Sequence, residues 1–188
     1  ARGGSELFLY CRDMPNLFAT VAAILDHKGL NIHYAQIMTS KDGYVMDTFV
    51  VLEPNGEPVD AERIPWLRKG LTNALNNPAM PLPNPKPLSR RHRQFHVPTR
   101  VNYLPNKGDK KHTLIELIAL DRPGLLARIG AVFLDCQFLV HSAKITTIGE
   151  RVEDFFSLSR RDGELLTDED EMKLREKLVA ELNPGDDM

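Results

Sequence analysis

The chain has 188 residues, carries 24 Lys and Arg against 26 Asp and Glu, and has a formal net charge of −2, with 42% hydrophobic residues. A near-neutral balance argues against a general polyanion binder, and no apolar run approaches the roughly 20 residues of a membrane span. Cys11 and Cys136 lack C-x-x-C spacing and read as small core residues in a reducing cytoplasm, not as a disulfide or metal site. No signal peptide opens the chain. Ala stands first where a whole gene product would have Met, so the expectation is a piece of a longer polypeptide.

Taken in order, Glu6–Cys11 places Leu7, Leu9 and Cys11 on one face, the period of a strand. Pro15 suits the first turn of a helix, where its missing N–H is not needed. Leu17, Phe18, Val21 and Leu25 form that helix's buried stripe, and Lys28-Gly29 stops it. Asn31–Ser40 and Tyr44–Leu52 read as strands joined through Asp42-Gly43, a hairpin signal. A second helix is expected from about Pro65 to Asn76, burying Leu67, Leu71 and Leu75.

Pro78, Pro81, Pro83, Pro85 and Pro87 then predict a stiff linker. Arg90, Arg91, Arg93, Arg100, Lys107, Lys110 and Lys111 follow, with Asp109 as the only acid between Asn77 and Lys111. Two readings fit this run: a solvated surface, or a docking site for an acidic or nucleotide-bearing partner. Phe95–Leu104 reads as a strand joined by Pro105-Asn106-Lys107-Gly108 to another strand, Thr113–Leu120. Leu125, Leu126, Ile129, Val132, Phe133 and Cys136 stripe the helix after Pro123. Phe138–Thr147 and Val152–Ser159 form the next hairpin. Thr167 should cap a last helix with Asp168, Glu169 and Asp170 in its first turn, where the helix dipole favours negative charge. Leu174, Leu178 and Leu182 line its inner face.

These elements occur twice. Asp13-Met14-Pro15-Asn16-Leu17-Phe18-Ala19 returns 108 residues later as Asp121-Arg122-Pro123-Gly124-Leu125-Leu126-Ala127, and His33/His141, Ala35/Ala143 and Ile37/Ile145 match at the same offset. One deletion then aligns Val45/Val152, Asp47/Asp154 and Phe49/Phe156. A fixed-period repeat decides architecture. The expectation is therefore α+β: two ferredoxin-like βαββα(β) units, each an antiparallel sheet with helices on one face. The first unit spans 1–77, a Pro-rich and basic linker 78–93, and the second unit 94–188, with strand 95–104 supplied from before its first repeat strand. At the same offset, the matching strand of the first unit would precede Ala1. Units this small hide only about 60% of their unfolded-chain surface. They are expected to pair edge to edge or helix to helix, within the chain or between two copies.

No G-x-G-x-x-G, G-x-x-x-x-G-K-[ST] or H-E-x-x-H pattern is present, and no residue is assigned to catalysis or to a metal. His33 and His141 read as structural polar residues, and the repeated acids Asp47 and Asp154 lie on separate units. One constellation has a mechanism: Asp121, Arg122, Pro123, Gly124, Leu125 and Leu126 between strand and helix. Unpaired N–H groups at a helix N-terminus suit a small carboxylate, Gly lets the backbone approach a ligand, and Asp121 can take an ammonium group. A second reading makes Asp121 a helix cap and Gly124 the relief of a tight turn. On the first reading the carboxylate lies on the N–H groups of Gly124, Leu125 and Leu126, and Leu139-Val140-His141 forms the adjoining wall, on the same or a neighbouring unit. Asp13, Asn16 and Leu17 are the equivalent positions of the first unit, with Asn16 where Gly124 stands.

Asp121-Arg122-Pro123-Gly124-Leu125-Leu126-Ala127-Arg128-Ile129, set in the repeated strand and helix order, resembles the ACT domain, a regulatory module that commonly binds amino acids. The two units together, with Arg2–Tyr10 and Asn183-Pro184, resemble the C-terminal tandem of the bifunctional uridylyltransferase/uridylyl-removing enzyme family. That resemblance implies glutamine as effector and ACT–ACT pairing. It also implies a partner, the nitrogen-regulatory PII protein, reached through a parent enzyme. The nucleotidyltransferase and phosphohydrolase domains, with any divalent metal, would lie upstream. Two other readings stand beside it. One is a free-standing regulatory protein made of ACT repeats. The other is an RNA-binding module, suggested by the faint aromatic-strand echo in Gly43–Val50 and opposed by Asp47 and by the near-neutral charge.

Overall fold

The computed structural model describes residues 3–84, 97–105 and 111–183. Alternation of half-buried and exposed residues builds β1 (Ser5–Arg12), followed by α1 (Leu17–His27), β2 (Asn31–Gln36), β3 (Tyr44–Leu52) and α2 (Ile64–Asn76). The pattern then repeats. Strand β4 (Arg100–Leu104) precedes β5 (Thr113–Leu120), α3 (Leu125–Asp135), β6 (Phe138–Lys144), the short β7 (Thr147–Ile148), β8 (Arg151–Arg160) and α4 (Asp168–Leu182). Thr167 caps α4 through a reciprocal capping box with Asp170, and four acids occupy its first turn.

The strands form one antiparallel sheet in the order β1-β3-β2-β6-β8-β5-β4, with β7 alongside β8. The helices pack on it as an α+β fold. The two units meet at β2 and β6, where Gln36 lies opposite Lys144. The Ile37 N–H donates to the Ala143 carbonyl and the Ile145 N–H to the Ala35 carbonyl, both at 3.3 Å. These bonds exchange under the repeat offset, so the junction has the reciprocity of a two-fold interface within one chain. Beneath it α1 packs on α3, and a Cβ on Gly130 would stand 2.9 Å from the Ala19 Cα. Phe18 sits among residues of the other unit, 5.8 Å from the Phe156 ring centroid and 6.5 Å from that of Phe133. The expected pairing of the units thus takes both forms at once, edge to edge and helix to helix.

Three expected elements are shorter than their sequence patterns. Asn31–Ser40 stops as a strand at Gln36 because the Met38 N–H turns to donate to Asp47 Oδ1 at 3.2 Å. Phe138–Thr147 breaks at Lys144 for the same reason, the Thr146 N–H donating to Asp154 Oδ1 at 3.1 Å. Phe95–Leu104 is a strand only over Arg100–Leu104, and Pro98 precedes it, where no ladder donor is needed. Phe95 lies outside the described residues, as do Arg90, Arg91, Arg93, Lys107 and Lys110.

Candidate functional site

Each unit's loop between its first strand and first helix turns through a left-handed residue. Gly124 caps α3 with φ 76°, and Asn16 caps α1 with φ 65°. Only Gly, and at some cost Asn, adopts this conformation readily. The pairing of the units sets each loop against the other unit, and two cavities result. The first, of about 260 Å³, is lined by Asp121–Ala127, by Asp154, and by Asp26, Asn31, Ile32 and His33 of the first unit. The second, of about 150 Å³, is lined by Asp13–Ala19, by Asp47, and by Phe133, Leu134, Leu139, Val140 and His141 of the second unit.

The structure thus divides the residues singled out in the sequence. Asp121, Arg122, Pro123, Gly124, Leu125 and Leu126 line one cavity, while Asp13, Asn16, Leu17, Val140 and His141 line the other. Leu139-Val140-His141 is therefore not the wall facing the Asp121 loop. Strands β2 and β6 pair antiparallel, and this carries the start of β6 to the first unit's loop and the start of β2 to the second unit's loop. Asn31-Ile32-His33 takes the place expected of Leu139-Val140-His141. The Leu125 N–H is also occupied, donating to the Arg122 carbonyl at 3.2 Å. Donors for a ligand carboxylate would come from further into the first turn, at Leu126 and Ala127. His141 Nε2 lies 2.7 Å from Ser159 Oγ, and its ring stacks on that of His112.

The groups that sequence reasoning left unassigned are the most unusual ones. Asp47 and Asp154 are fully buried, and each accepts one backbone N–H at Oδ1. Each leaves Oδ2 buried without a hydrogen-bond partner among the described residues. A buried carboxylate lacking a partner is costly and shifts toward its neutral form. Burial pushes Asp154 up to about 8, aided by the Asp121 carboxylate and opposed by the Thr146 N–H. Burial pushes Asp47 up to about 6, with Asp13 adding to the shift and the Met38 N–H opposing it. The signal for both was in the repeat, which matches Asp47 to Asp154, each between the paired apolar positions Val45/Val152 and Phe49/Phe156.

Asp26 completes the contrast. It is buried against Gly124, where a Cβ would stand 2.8 Å from its Oδ1. The equivalent position at the second cavity is Leu134. Arg122 is buried as well, one Nη2–H donating to the Glu181 carbonyl at 3.3 Å. Burial and the nearby Arg128 lower its pKa to about 10, still charged at neutral pH, while Glu181 opposes the shift. Arg128 pairs with the Glu181 carboxylate. The first cavity therefore brings together four carboxyl groups, those of Asp26, Glu53, Asp121 and Asp154, with a cation and a helix N-terminus. The second offers Asp13 and Asp47 among Met14, Phe133, Leu134 and Leu139.

The ACT domain family matches residues 5–64. The chain is 48% identical over 182 residues to the bifunctional uridylyltransferase/uridylyl-removing enzyme of Vibrio parahaemolyticus, covering 97% of this chain and 21% of that enzyme. It is 50% identical over 185 residues to the enzyme of the same name from Photobacterium profundum, covering 98% of this chain and 21% of that enzyme. Aspartate kinase from Synechocystis, among solved structures, aligns at 19% identity and a TM-score of 0.42 over 79% of this chain and 22% of that one. The chain spans about a fifth of the length of the curated relatives it matches. Among the described residues no helix is long and apolar enough to cross a membrane. Residues 5–64 thus match the ACT domain family, and nearly the whole chain is similar to one segment of the bifunctional uridylyltransferase/uridylyl-removing enzymes.

Proposed function

We propose that this chain is the amino-acid-sensing part of a longer cytoplasmic enzyme that adds UMP to the nitrogen-regulatory PII protein and removes it, with glutamine as the signal read in the first cavity. The observation that carries this reading is Asp154 Oδ2, a buried carboxylate oxygen without a partner among the described residues, in a cavity that also holds Asp121 and opens on the α3 N-terminus. An ammonium group between Asp121 and Asp154 would supply the hydrogen bond that Asp154 Oδ2 lacks. The ligand's carboxylate would meet the first turn of α3, where N–H groups and dipole favour an anion. A volume near 260 Å³ exceeds the ~150 Å³ that holds a benzene-sized guest, and accommodates a free amino acid.

Both units wall the cavity, so occupancy ties them together and biases how the pair sits against the rest of the enzyme. Couplings of this kind are typically about 1–3 kcal/mol. The catalytic domains and their divalent metal belong to the remainder of such an enzyme, and PII meets the assembly through them.

A thermal-shift screen of the twenty amino acids tests the reading. Glutamine at a hundred times its dissociation constant should stabilise the fold by about 2.7 kcal/mol. Stabilisation by a short RNA and by no amino acid would replace this reading with the nucleic-acid one.

A further inference from the structure

The repeat allows the two units to be compared residue by residue, and one edge of the sheet is dressed differently from the other. In the second unit, β4 covers the outer edge of β5, pairing antiparallel from Arg100 opposite Ile118 to Leu104 opposite Leu114. Val101 is buried, and the Tyr103 hydroxyl donates to the Glu171 carbonyl at 2.7 Å, with the Arg175 guanidinium over its ring. Beneath this cover Ile115, Leu117 and Ala119 are at most 1% exposed, and Leu182 is buried. In the first unit, β1 is the last strand of the sheet among the described residues. Its residues Leu7, Leu9 and Cys11 stand where Ile115, Leu117 and Ala119 stand, yet they are only half-buried, as is Leu75, the counterpart of Leu182. Ile64, the counterpart of Glu171, is 43% exposed. An open edge with a half-covered apolar strip behind it is a template for strand addition.

We propose that the outer edge of β1 receives a further strand of the same polypeptide, from the stretch directly ahead of Ala1 in the longer protein, running antiparallel to Glu6–Tyr10 as β4 runs to Leu114–Ile118. The internal repeat fixes the occupant. Only residues 105–112 separate β4 from β5, and the same connection length before β1 leaves the strand immediately upstream. The matched segment is 21% of the length of the curated relatives, so a longer polypeptide is the setting of the proposal. Alternate residues of the added strand face Leu7 and Leu9 at one end and Ile64 and Leu75 at the other, so they are apolar or aromatic, as Val101 and Tyr103 are. The proposal is independent of any ligand.

Hydrogen exchange on two polypeptides tests it: the 188-residue chain, and the same chain extended by about fifteen of its native upstream residues, a length set by one strand of 5–6 residues and its connection. In the extended chain, alternate amides of Glu6–Tyr10 should exchange at least about tenfold more slowly. A proline placed in the middle of the added strand should return them to the shorter chain's rate. Unchanged exchange in the extended chain overturns the proposal. So does protection already present in the 188-residue chain that falls on dilution, because the edge then belongs to a second copy.

Discussion

The two cavities are built from the same parts, yet they present different chemistry to a ligand. Each has a left-handed cap, a helix N-terminus, a buried acid (Asp47 on β3 or Asp154 on β8), and a wall from the other unit's β6 or β2. The first has Gly124 facing Asp26, with Asn31 beside it; the second has Asn16, Leu134 and Leu139 at the matching positions. The first is also larger, about 260 Å³ against 150 Å³. Duplication thus preserved the scaffold that makes a site, and a few side chains separate a polar, charged recess from a narrower and more apolar one. Pairing accounts for this freedom. The β2–β6 junction is held by backbone hydrogen bonds that no cavity side chain supplies, although Phe18 and Phe133 both join the units and line the second cavity.

The sharpest way to break the comparison is to remove the buried acids one at a time. Asp154→Asn keeps the acceptor for the Thr146 N–H but removes the charge that would meet an ammonium group. Amino-acid affinity should fall by roughly two orders of magnitude or more, as loss of one partner from a buried charge pair costs about 3–5 kcal/mol. Asp47→Asn should leave that affinity within a factor of about three, since its carboxylate serves the other cavity. Calorimetric titration of both variants decides it, and a larger loss at Asp47 would exchange the roles of the two cavities.

Gly124→Ala comes next. Its Cβ would crowd Asp26 Oδ1 at 2.8 Å, and the left-handed backbone adds about 1–2 kcal/mol of strain. Chemical denaturation should show a loss of at least that size, together with weakened amino-acid binding. An unchanged denaturation midpoint would mean that the cap relaxes to another conformation.

The pH dependence follows from the direction of the shifts. An acid raised in the folded state binds more protons there than in the unfolded chain, so stability falls as pH rises through the window between its ordinary value and its folded one. For Asp154 that window reaches about 8. For Asp47 it closes near 6. Thermal melts between pH 5 and 9, taken as about the span of the window, should therefore decline toward the alkaline end, and Asp154→Asn should flatten the decline. An arriving ammonium group lowers the pKa of Asp154, so binding near neutral pH should release a proton. Titrations in two buffers of different ionisation enthalpy would show it as a buffer-dependent heat, and equal heats would contradict it. The smallest effect is expected of Asn16→Gly, within about 0.5 kcal/mol, because easier left-handed backbone is offset by a more flexible unfolded chain.

Most of the fold was legible because the chain states it twice. Alternation in Glu6–Cys11 and Thr113–Leu120, the Asp42-Gly43 hairpin and the capping box at Thr167 are local signals, and the structure keeps them. The strand ends were not legible. Asp47 and Asp154 capture backbone N–H groups from residues 9 and 8 positions away, and that long-range event cuts β2 and β6 short. The site was half legible for a related reason. Asp121–Leu126 and Asp13–Leu17 announce two helix N-termini, but which wall faces which loop depends on the antiparallel pairing of β2 with β6. No residue inside one unit encodes that choice. Asp26 was hidden in a stripe that reads as buried helix, and it gains its position over Gly124 only when the second unit docks.

The central claim is that an amino acid occupies the first cavity, and amide NMR during a glutamine titration tests it most directly. The account predicts saturable shifts at Asp121, Gly124–Ala127 and Asn31–His33, with Asn16, Leu17, Val140 and His141 unmoved. Shifts confined to Asp13–Ala19 and Leu139–His141, or no saturable shifts at all, would contradict it.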